Sequence, residues 1–533
     1  YQLDKLQILE LNYCKNLKEL PSCLYQLDNL RRLELLDTEV KNVVAHLGKL
    51  KNLQVMMNSI HVEKSKENYF QQLGELDLHG SLKINDLHNI ENPSYALKAD
   101  LKNKPHLVEL WLEWNFIGSS SVDSEKAENV IENLRPSKYL KELSIRNYIG
   151  KQFPDWLLHN SLPNLVSLVL EGCESCQSLP PLGLFQFLKY LSIARLDGIV
   201  SIDADFHGNN SSSFKSLERL YFSDMRQWEK WDCKAVTGAF PCLRDFSIQN
   251  CPKLKGHLPK FVALEYLRVV HCEQLEALIV SMVELSQRVE ELSICSTLES
   301  LSDDFVSLKI FPLDFFPTLR FLELGGFPNL QMISQNHVQN HFEGLTIKEC
   351  PKLESLPANM HMLLPSLREL HIEECPRLEW LSEGGFPLNL RWLSEGGFPL
   401  NLRFTRLTNC IRLVGSLKRA LGDSPYLTTL NIGKVEAECF PDEGLLPLCL
   451  IILIISDCPN LKKLNYKGLL ELSYLKYLKL VNCPNLECLP EEGLPKSISY
   501  FEIKKCPLLE QRCNKEEGED WEKISHIPGV FIC

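Results

Sequence analysis

The sequence predicts an α/β solenoid, a horseshoe of stacked coils with one parallel β-sheet on its concave face and an irregular, 3₁₀-rich convex side. Three observations predict it. Leu475, Leu478, Leu480, Cys483, Leu486 and Leu489 have the spacing L-x-x-L-x-L-x-x-C-x-L-x-x-L. The same spacing returns at Leu367, Leu370, Ile372, Cys375, Leu378, Leu381 and at Leu6, Leu9, Leu11, Cys14, Leu17, Leu20. Around L-x-L the period is two, so alternate residues face inward along a short strand. An Asn or Cys then turns the chain off the strand, and later leucines fill the same core from the far side. This is the leucine-rich repeat; one coil cannot bury its apolar side alone, but a stack can.

Length and composition agree with a one-dimensional fold. A chain of 533 residues is long for one globular core, but a solenoid has no core-size limit. The net charge of -12 argues against nucleic acid as the main partner, because phosphate binding needs a basic face. No apolar run of about eighteen residues exists, so no membrane span is expected. The chain starts at Tyr1 inside a repeat, which reads as a fragment of a longer protein.

The 20 cysteines do not have disulfide or zinc spacing. Cys14, Cys173, Cys251, Cys272, Cys350, Cys375, Cys410, Cys458, Cys483 and Cys506 share one repeat slot, eight residues after the first leucine. A small buried residue there bonds the turn backbone, so a ladder of reduced thiols is expected. Reduced thiols imply the cytoplasm or the nucleus. Only Asn209 and Asn210 fit a glycosylation sequon, too few for a secreted solenoid.

First leucines, taken in order, fall at Leu6, Leu30, Leu53, Leu73, Leu107, Leu140, Leu165, Leu188, Leu217, Leu243 and Leu264, then at Val289, Leu319, Phe342, Leu367, Leu402, Leu427, Leu450, Leu475 and Ile498. That is about twenty coils over residues 1–513. Polar insertions such as GSSSVDSEKAEN (118–129) and HGNNSSS (207–213) read as loops. WLSEGGFPLNLR at 380–391 is repeated at 392–403. The second copy places Glu395 where a core leucine belongs, so one copy is expected to loop out without adding a coil. Residues 514–533 are expected to cap the last coil, with Trp521, Ile524 and Ile527 on one helical face.

Catalytic chemistry is sought and not found. There is no G-x-x-x-x-G-K-[ST], G-x-G-x-x-G after a strand, G-x-S-x-G or H-E-x-x-H. Cys173 and Cys176 form a C-x-x-C, but Cys173 is a repeat-slot residue and no second pair stands at zinc spacing. His337 and His341 read as a surface loop. No catalytic, cofactor-binding or metal residue is assigned, and the chain is not expected to be an enzyme.

Three blocks carry more than the generic repeat. They are LGELDLHGSLKINDLHNIENPSYALKADLKNKPHLVELWLEW (73–114), YIGKQFPDWL (148–157) with GCESCQSLPPLGLFQFLKYLSI (172–193), and CPNLECLPEEGLPKSISYFEIKKCPLLEQRC (483–513) with GEDWEKISHIP (518–528). In this order they resemble the leucine-rich-repeat region of plant intracellular disease-resistance proteins of the coiled-coil, nucleotide-binding, leucine-rich-repeat type. The resemblance implies an upstream switch domain that binds ATP or ADP; its P-loop is absent from this chain, so no cofactor is expected here. It also implies a sensor of innate immunity that restrains the switch and releases it on meeting a pathogen effector or a modified host protein.

The residues between the strand leucines face the concave side and supply the candidate surface. Glu10, Glu34, Glu75, Asp77, Glu109, Trp111, Glu113 and Glu142 form an expected acidic stripe. Of these, Glu75, Asp77, Glu109 and Glu113 are the candidate contacts for the switch domain. Tyr266, Phe321, Phe404, Tyr477 and Tyr500, with Arg268, Arg406, Lys479 and Lys504 beside them, form an expected aromatic and basic column. Tyr266, Phe321, Phe404, Arg406, Tyr477, Lys479 and Tyr500 are the candidate recognition surface, since aligned exposed aromatics are what interface hot spots use. A substrate-recruiting adaptor of a ubiquitin ligase is the alternative; it would carry an F-box-like segment, and none is visible. A secreted repeat receptor would show cysteine-pair caps and a span.

Overall fold

The computed structural model describes the chain except residues 1–2, 36–37, 41–49, 51, 58, 64–67, 115–122, 160, 209–212, 233–239, 260, 273, 276–287, 296–307, 358–359, 379–400, 411–425, 516 and 533. It divides into two compact units, Tyr1–Ser281 and Met282–Cys533. Each unit is a leucine-rich-repeat stack with parallel strands, as the spacing predicts. One coil shows why. In Ser167–Glu171 the burial alternates, with Leu168 and Leu170 fully buried and Ser167, Val169 and Glu171 facing out. Leu168 pairs in register with Leu143 on one side and Leu191 on the other. Neighbouring strands lie about 4.8 Å apart, so each leucine packs on its equivalents in the next coils.

In the first unit, Ile8–Glu10, Arg32–Glu34 and Val55–Met57 form a three-stranded parallel sheet. A longer parallel sheet starts at Ser59–His61 and runs through Gly80–Asn85, Leu107–Glu113, Glu142–Arg146 and Ser167–Glu171. It continues through Tyr190–Ala194, Arg219–Ser223, Asp245–Gln249 and Tyr266–Val270.

Three expectations need correction in this unit. The coil placed at Leu73 is out of register. Leu73 lies in a helix, Asn68–Glu75, and the strand of that coil is Gly80–Asn85, with Leu82 and Ile84 in the core. The error has a physical origin: Leu73 near the helix end and Leu76 and Leu78 just beyond it are all buried, and their spacing imitates L-x-x-L-x-L. The insertion at 118–129 is not wholly loop, because Ser124–Asn133 is a helix that buries Ala127, Val130 and Ile131. Asp123 caps it, its side chain accepting from the Lys126 amide at 2.9 Å. In the other insertion His207 and Ser213 are fully buried; its residues 209–212 lie outside the described ones.

The second unit has ten strands in one parallel sheet among its described residues. They are Glu291–Cys295, Phe321–Gly325, Gly344–Lys348, Glu369–Glu373, Phe404–Thr408, Thr429–Gly433, Ile452–Ser456, Tyr477–Val481, Tyr500–Lys504 and Gly529–Ile532. Most of the duplicated dodecapeptide lies outside the described residues. Glu369–Glu373 nevertheless pairs directly with Phe404–Thr408, so the duplication adds no strand between them. The last strand, Gly529–Ile532, comes from the C-terminal tail. The tail buries Ile524 and Ile527 as expected but leaves Trp521 only half-buried, and it extends the sheet instead of lying over it as one helical face.

Many of the described coils leave their strands the same way. One residue takes left-handed backbone angles, and the next enters the buried slot. Asn250, Asn409, Asp457 and Asn482 occupy the left-handed position, each followed by a cysteine, and Gly172 does so before Cys173. Asn, Asp and Gly suit it, because they tolerate positive φ. His271, Glu349, Glu374 and Lys505 hold it too, before Cys272, Cys350, Cys375 and Cys506. Of the ten slot cysteines, nine are buried; Cys14 is exposed, because the first coil has no neighbour on one side among the described residues. The described thiols are all free, and slot sulfurs lie against strand carbonyls, Cys410 Sγ donating to Ile372 at 3.5 Å and to Thr408 at 3.4 Å. Burial pushes the Cys173 and Cys410 thiols up to about 12, so they stay protonated.

The far side of the coils carries short 3₁₀ and α-helical turns, as in Leu182–Leu184 and Asp155–Leu158. It also carries two-stranded parallel ribbons, such as Ser201–Ile202 with Lys230–Trp231 and Cys439–Phe440 with Lys463–Leu464. No helix among the described residues is long and apolar enough to cross a membrane.

Candidate interaction surface

The outward positions of the strands build the candidate surface, and each unit has its own chemistry. In the first unit Trp111 is the centre of a charge-laced face. The Lys83 ammonium sits 5.1 Å from its ring and the Arg146 guanidinium 4.9 Å from it. The Trp111 indole N–H donates to Glu109. Glu113 pairs with Lys83 at 3.6 Å; Glu171 takes Arg146 at 3.2 Å and Arg195 at 2.8 Å. Glu34 is buried and bound by Asn12 at 2.6 Å and by Arg32. The Asn12 hydrogen bond, opposed by burial and helped by Arg32, holds its carboxyl below the usual range.

These contacts correct the expected acidic stripe. Glu109, Glu113 and Glu142 are on the sheet, but Glu109 and Glu113 are bonded to neighbours. Glu75 and Asp77 are exposed but off the sheet. Glu75 ends the helix Asn68–Glu75, and Asp77 lies in the link to Gly80–Asn85, with Oδ2 3.3 Å from His79 Nε2. The shifted register explains the misplacement. Tyr266, from the expected recognition column, also belongs to this unit and is 36% exposed.

The second unit holds the rest of that column. Register places Phe321, Gly344, Glu369, Phe404, Thr429, Ile452, Tyr477, Tyr500 and Gly529 at one position of successive strands. The aromatics therefore do share a column, but only Tyr477 and Tyr500 are adjacent, with ring centroids 6.4 Å apart. Two glycines make room for rings that lean across. A Cβ on Gly344 would meet Phe321 Cδ1 at 2.6 Å, and one on Gly529 would meet Tyr500 Cδ1 at 2.5 Å.

Side-chain pairing fixes the other candidates. Tyr477 donates its hydroxyl to Glu502, which also takes Lys479 at 2.8 Å. Lys479 first, then the Tyr477 bond, holds the Glu502 carboxyl low against its burial. Burial and Glu502 together push the Tyr477 phenol up to about 12. Arg406 stands 3.8 Å from Glu373, and the Phe404 ring packs 4.8 Å from that of His371. Lys479 and Arg406 thus serve first as props for the face. Tyr500 remains 52% exposed, and Phe531, aligned with Glu502 on the last strand, is 54% exposed. Phe531 was missed because the tail does not carry the leucine spacing; the alternation of GVFI was the only signal. Tyr190 and Tyr221, rings 5.6 Å apart edge to face, were also missed, although they occupy outward positions of their strands.

The C-x-x-C pair is structural. Cys173 and Cys176 are both fully buried, Cys176 donating to the Gly150 carbonyl at 3.3 Å. His337 lies in an exposed turn, its amide donating to Asp314 at 3.1 Å.

The coils, the left-handed exits and the in-register outward columns define a leucine-rich-repeat protein. A family described as R13L1/DRL21 LRRs matches residues 70–196. Among curated proteins, the chain is 33% identical to the putative disease resistance RPP13-like protein 1 of Arabidopsis thaliana, over 58% of this chain and 31% of that protein. It is 38% identical to the putative disease resistance protein At3g14460 of the same plant, over 36% of this chain and 14% of that protein. It is 31% identical to the disease resistance protein RGA2 of Solanum bulbocastanum, over 36% and 20%. The chain is thus similar to the leucine-rich-repeat regions of plant disease-resistance proteins, and it spans less than a third of the length of these relatives. Among solved structures, the Toll–Spätzle complex of Drosophila overlaps 89% of this chain and 54% of that chain at 13% identity and a TM-score of 0.46. A Listeria monocytogenes internalin overlaps 66% and 87% at 15% identity and a TM-score of 0.38. These overlaps are too loose to carry an argument.

Proposed function

We propose that the chain is the sensing and restraining repeat region of a plant innate immune receptor. It is an interaction module, works in the cytoplasm or nucleus, and needs no cofactor of its own. Its partners are the receptor's own ATP/ADP switch domain and a pathogen effector or a modified host protein. The observation that carries the reading is the in-register column of the second unit, where Tyr477 and the exposed Tyr500 stand side by side over paired Lys479 and Glu502. Phe321, Phe404 and Arg406 lie further along the same sheet, and Tyr266 is the counterpart in the first unit. Rigid tyrosines over a braced polar layer are what interface anchors need, because little side-chain freedom remains to be lost. The acids of the first unit, Glu75, Asp77, Glu109 and Glu113, contact the switch domain through complementary charge, which sets orientation and on-rate.

The test uses the full-length receptor expressed in leaf tissue. Tyr477→Ala with Tyr500→Ala should abolish the pathogen-dependent response and leave the resting state silent, each anchor contributing roughly 2 kcal/mol, or about thirtyfold in affinity. Glu75→Lys with Glu109→Lys should instead give signalling without a pathogen. Identical phenotypes from the two pairs, or a fall in protein level that accounts for both, would overturn the assignment.

A further inference from the structure

Asp77, His79 and His106 meet where the chain turns into two neighbouring strands of the first unit. His79 immediately precedes Gly80–Asn85 and His106 immediately precedes Leu107–Glu113, and Gly80 pairs with Leu107 just before a bulge shifts the register. Two imidazoles from successive coils are therefore set side by side, with centroids 4.3 Å apart and planes inclined at 42°. The backbone fixes both positions. The His79 amide donates to the Gln54 carbonyl at 2.6 Å, and the Gly80 amide donates to the His106 carbonyl at 3.0 Å. Asp77 is two residues upstream on the same edge, with Oδ2 3.3 Å from His79 Nε2. One ligand atom from each of the three lies within 4.8 Å of the others.

The distances match a small cation. Ligands about 2.0–2.2 Å from a tetrahedral centre stand about 3.3–3.6 Å from one another. The Asp77–His79 edge already has that length, and a ligand atom of His106 stands within 4.8 Å of both. A hydrogen bond between Asp77 and His79 accounts for two of the three groups. A shared cation accounts for all three, including the second imidazole held beside the first at an accessible edge. Two neutral imidazoles and one carboxylate form a borderline donor set that favours zinc, cobalt, nickel or copper over magnesium or calcium. Asp77 is 60% exposed and His79 32%, so a fourth position faces solvent.

We propose that Asp77, His79 and His106 form a binding site for a divalent transition metal of the zinc class, which ties together two successive coils. The ligands come from two coils and share no short motif, which is why the sequence reading assigned no metal residue.

The test is titration calorimetry of the 533-residue chain with zinc chloride. The exposed thiols Cys14, Cys23, Cys242 and Cys439 are first changed to serine to remove competing ligands. One zinc should bind, and thermal melting should shift upward with zinc. His79→Ala and His106→Ala should each weaken binding by roughly 100-fold and abolish the shift. Circular dichroism without metal should match the parent, since neither imidazole is in the core. Parent-like affinity in His106→Ala, or no heat at millimolar zinc, overturns the proposal.

Discussion

At the scale of single residues, burial dominates. His207 is fully buried and caged by Phe206, Phe214 and Phe240, with ring centroids 5.3, 5.9 and 5.6 Å away, and neither ring nitrogen has a hydrogen-bond partner among the described residues. Burial lowers its pKa to about 4, with Asp232 and Asp203 opposing. The unfolded imidazole takes its proton near pH 6.5, well before the folded one. Stability is therefore full above about pH 6.5 and falls progressively toward pH 4, by about 2 kcal/mol at pH 5. Urea midpoints at pH 7 and pH 5 check this: the parent should lose stability, and His207→Leu should lose much less. Equal losses would refute the buried neutral imidazole. The sequence placed this histidine at the start of a polar loop, because HGNNSSS reads as loop composition and hides the Phe206 and Phe214 that flank it and the Phe240 of the next coil. The thiol slot was legible for the opposite reason, since its signal is local and recurs at the same offset in ten coils.

At the scale of elements, the repeat strands were the easiest to read and the connections the hardest. Leu-x-Leu alternation located Ser167–Glu171 and Tyr477–Val481 directly. The helix Asn68–Glu75 was lost because its buried Leu73, with Leu76 and Leu78 just beyond its end, imitates the repeat. The tail was also only half legible, because its organiser is a charge. Asp520 is 1% exposed and receives Arg512 Nε and Nη2, each at 3.2 Å. Lys523 stands 2.9 Å away, and the Leu489 amide donates at 2.9 Å. Burial would raise its pKa, but Arg512, the Leu489 amide and Lys523 outweigh that and lower it. Its contribution is thus present above the ordinary carboxylate range and is lost only as pH falls below about 3.8. Removing one partner from a buried ionic cluster costs about 3–5 kcal/mol, so Asp520→Ala should release the tail from the coil that ends at Leu489. Hydrogen exchange at neutral pH should show Gly529–Ile532 losing protection while Phe404–Thr408 keeps it. Retained protection in the last strand would mean that Ile524 and Ile527 hold the tail unaided.

At the scale of the molecule, stability comes from neighbour contacts repeated many times, because no coil is closed on its own. This is why the fold class was legible from three copies of one spacing, while the placement of Glu75 and Asp77 depended on a single coil's register and was not. The sharpest test of that register is a pair of substitutions one residue apart. Leu168 is fully buried between Leu143 and Leu191, whereas Val169 points outward on the same strand. Leu168→Arg loses a burial term of about 1.5–3 kcal/mol and adds the larger cost of an unpaired buried charge. Val169→Arg loses little, since its side chain already meets solvent. The first substitution should lower the melting temperature and remove hydrogen-exchange protection from Glu142–Arg146 and Tyr190–Ala194 as well as from its own strand, because each coil is a wall of its neighbours' core. The second should melt like the parent. If both variants melt alike, the inward and outward sets of this strand are exchanged, and every outward column assigned from its register moves with them.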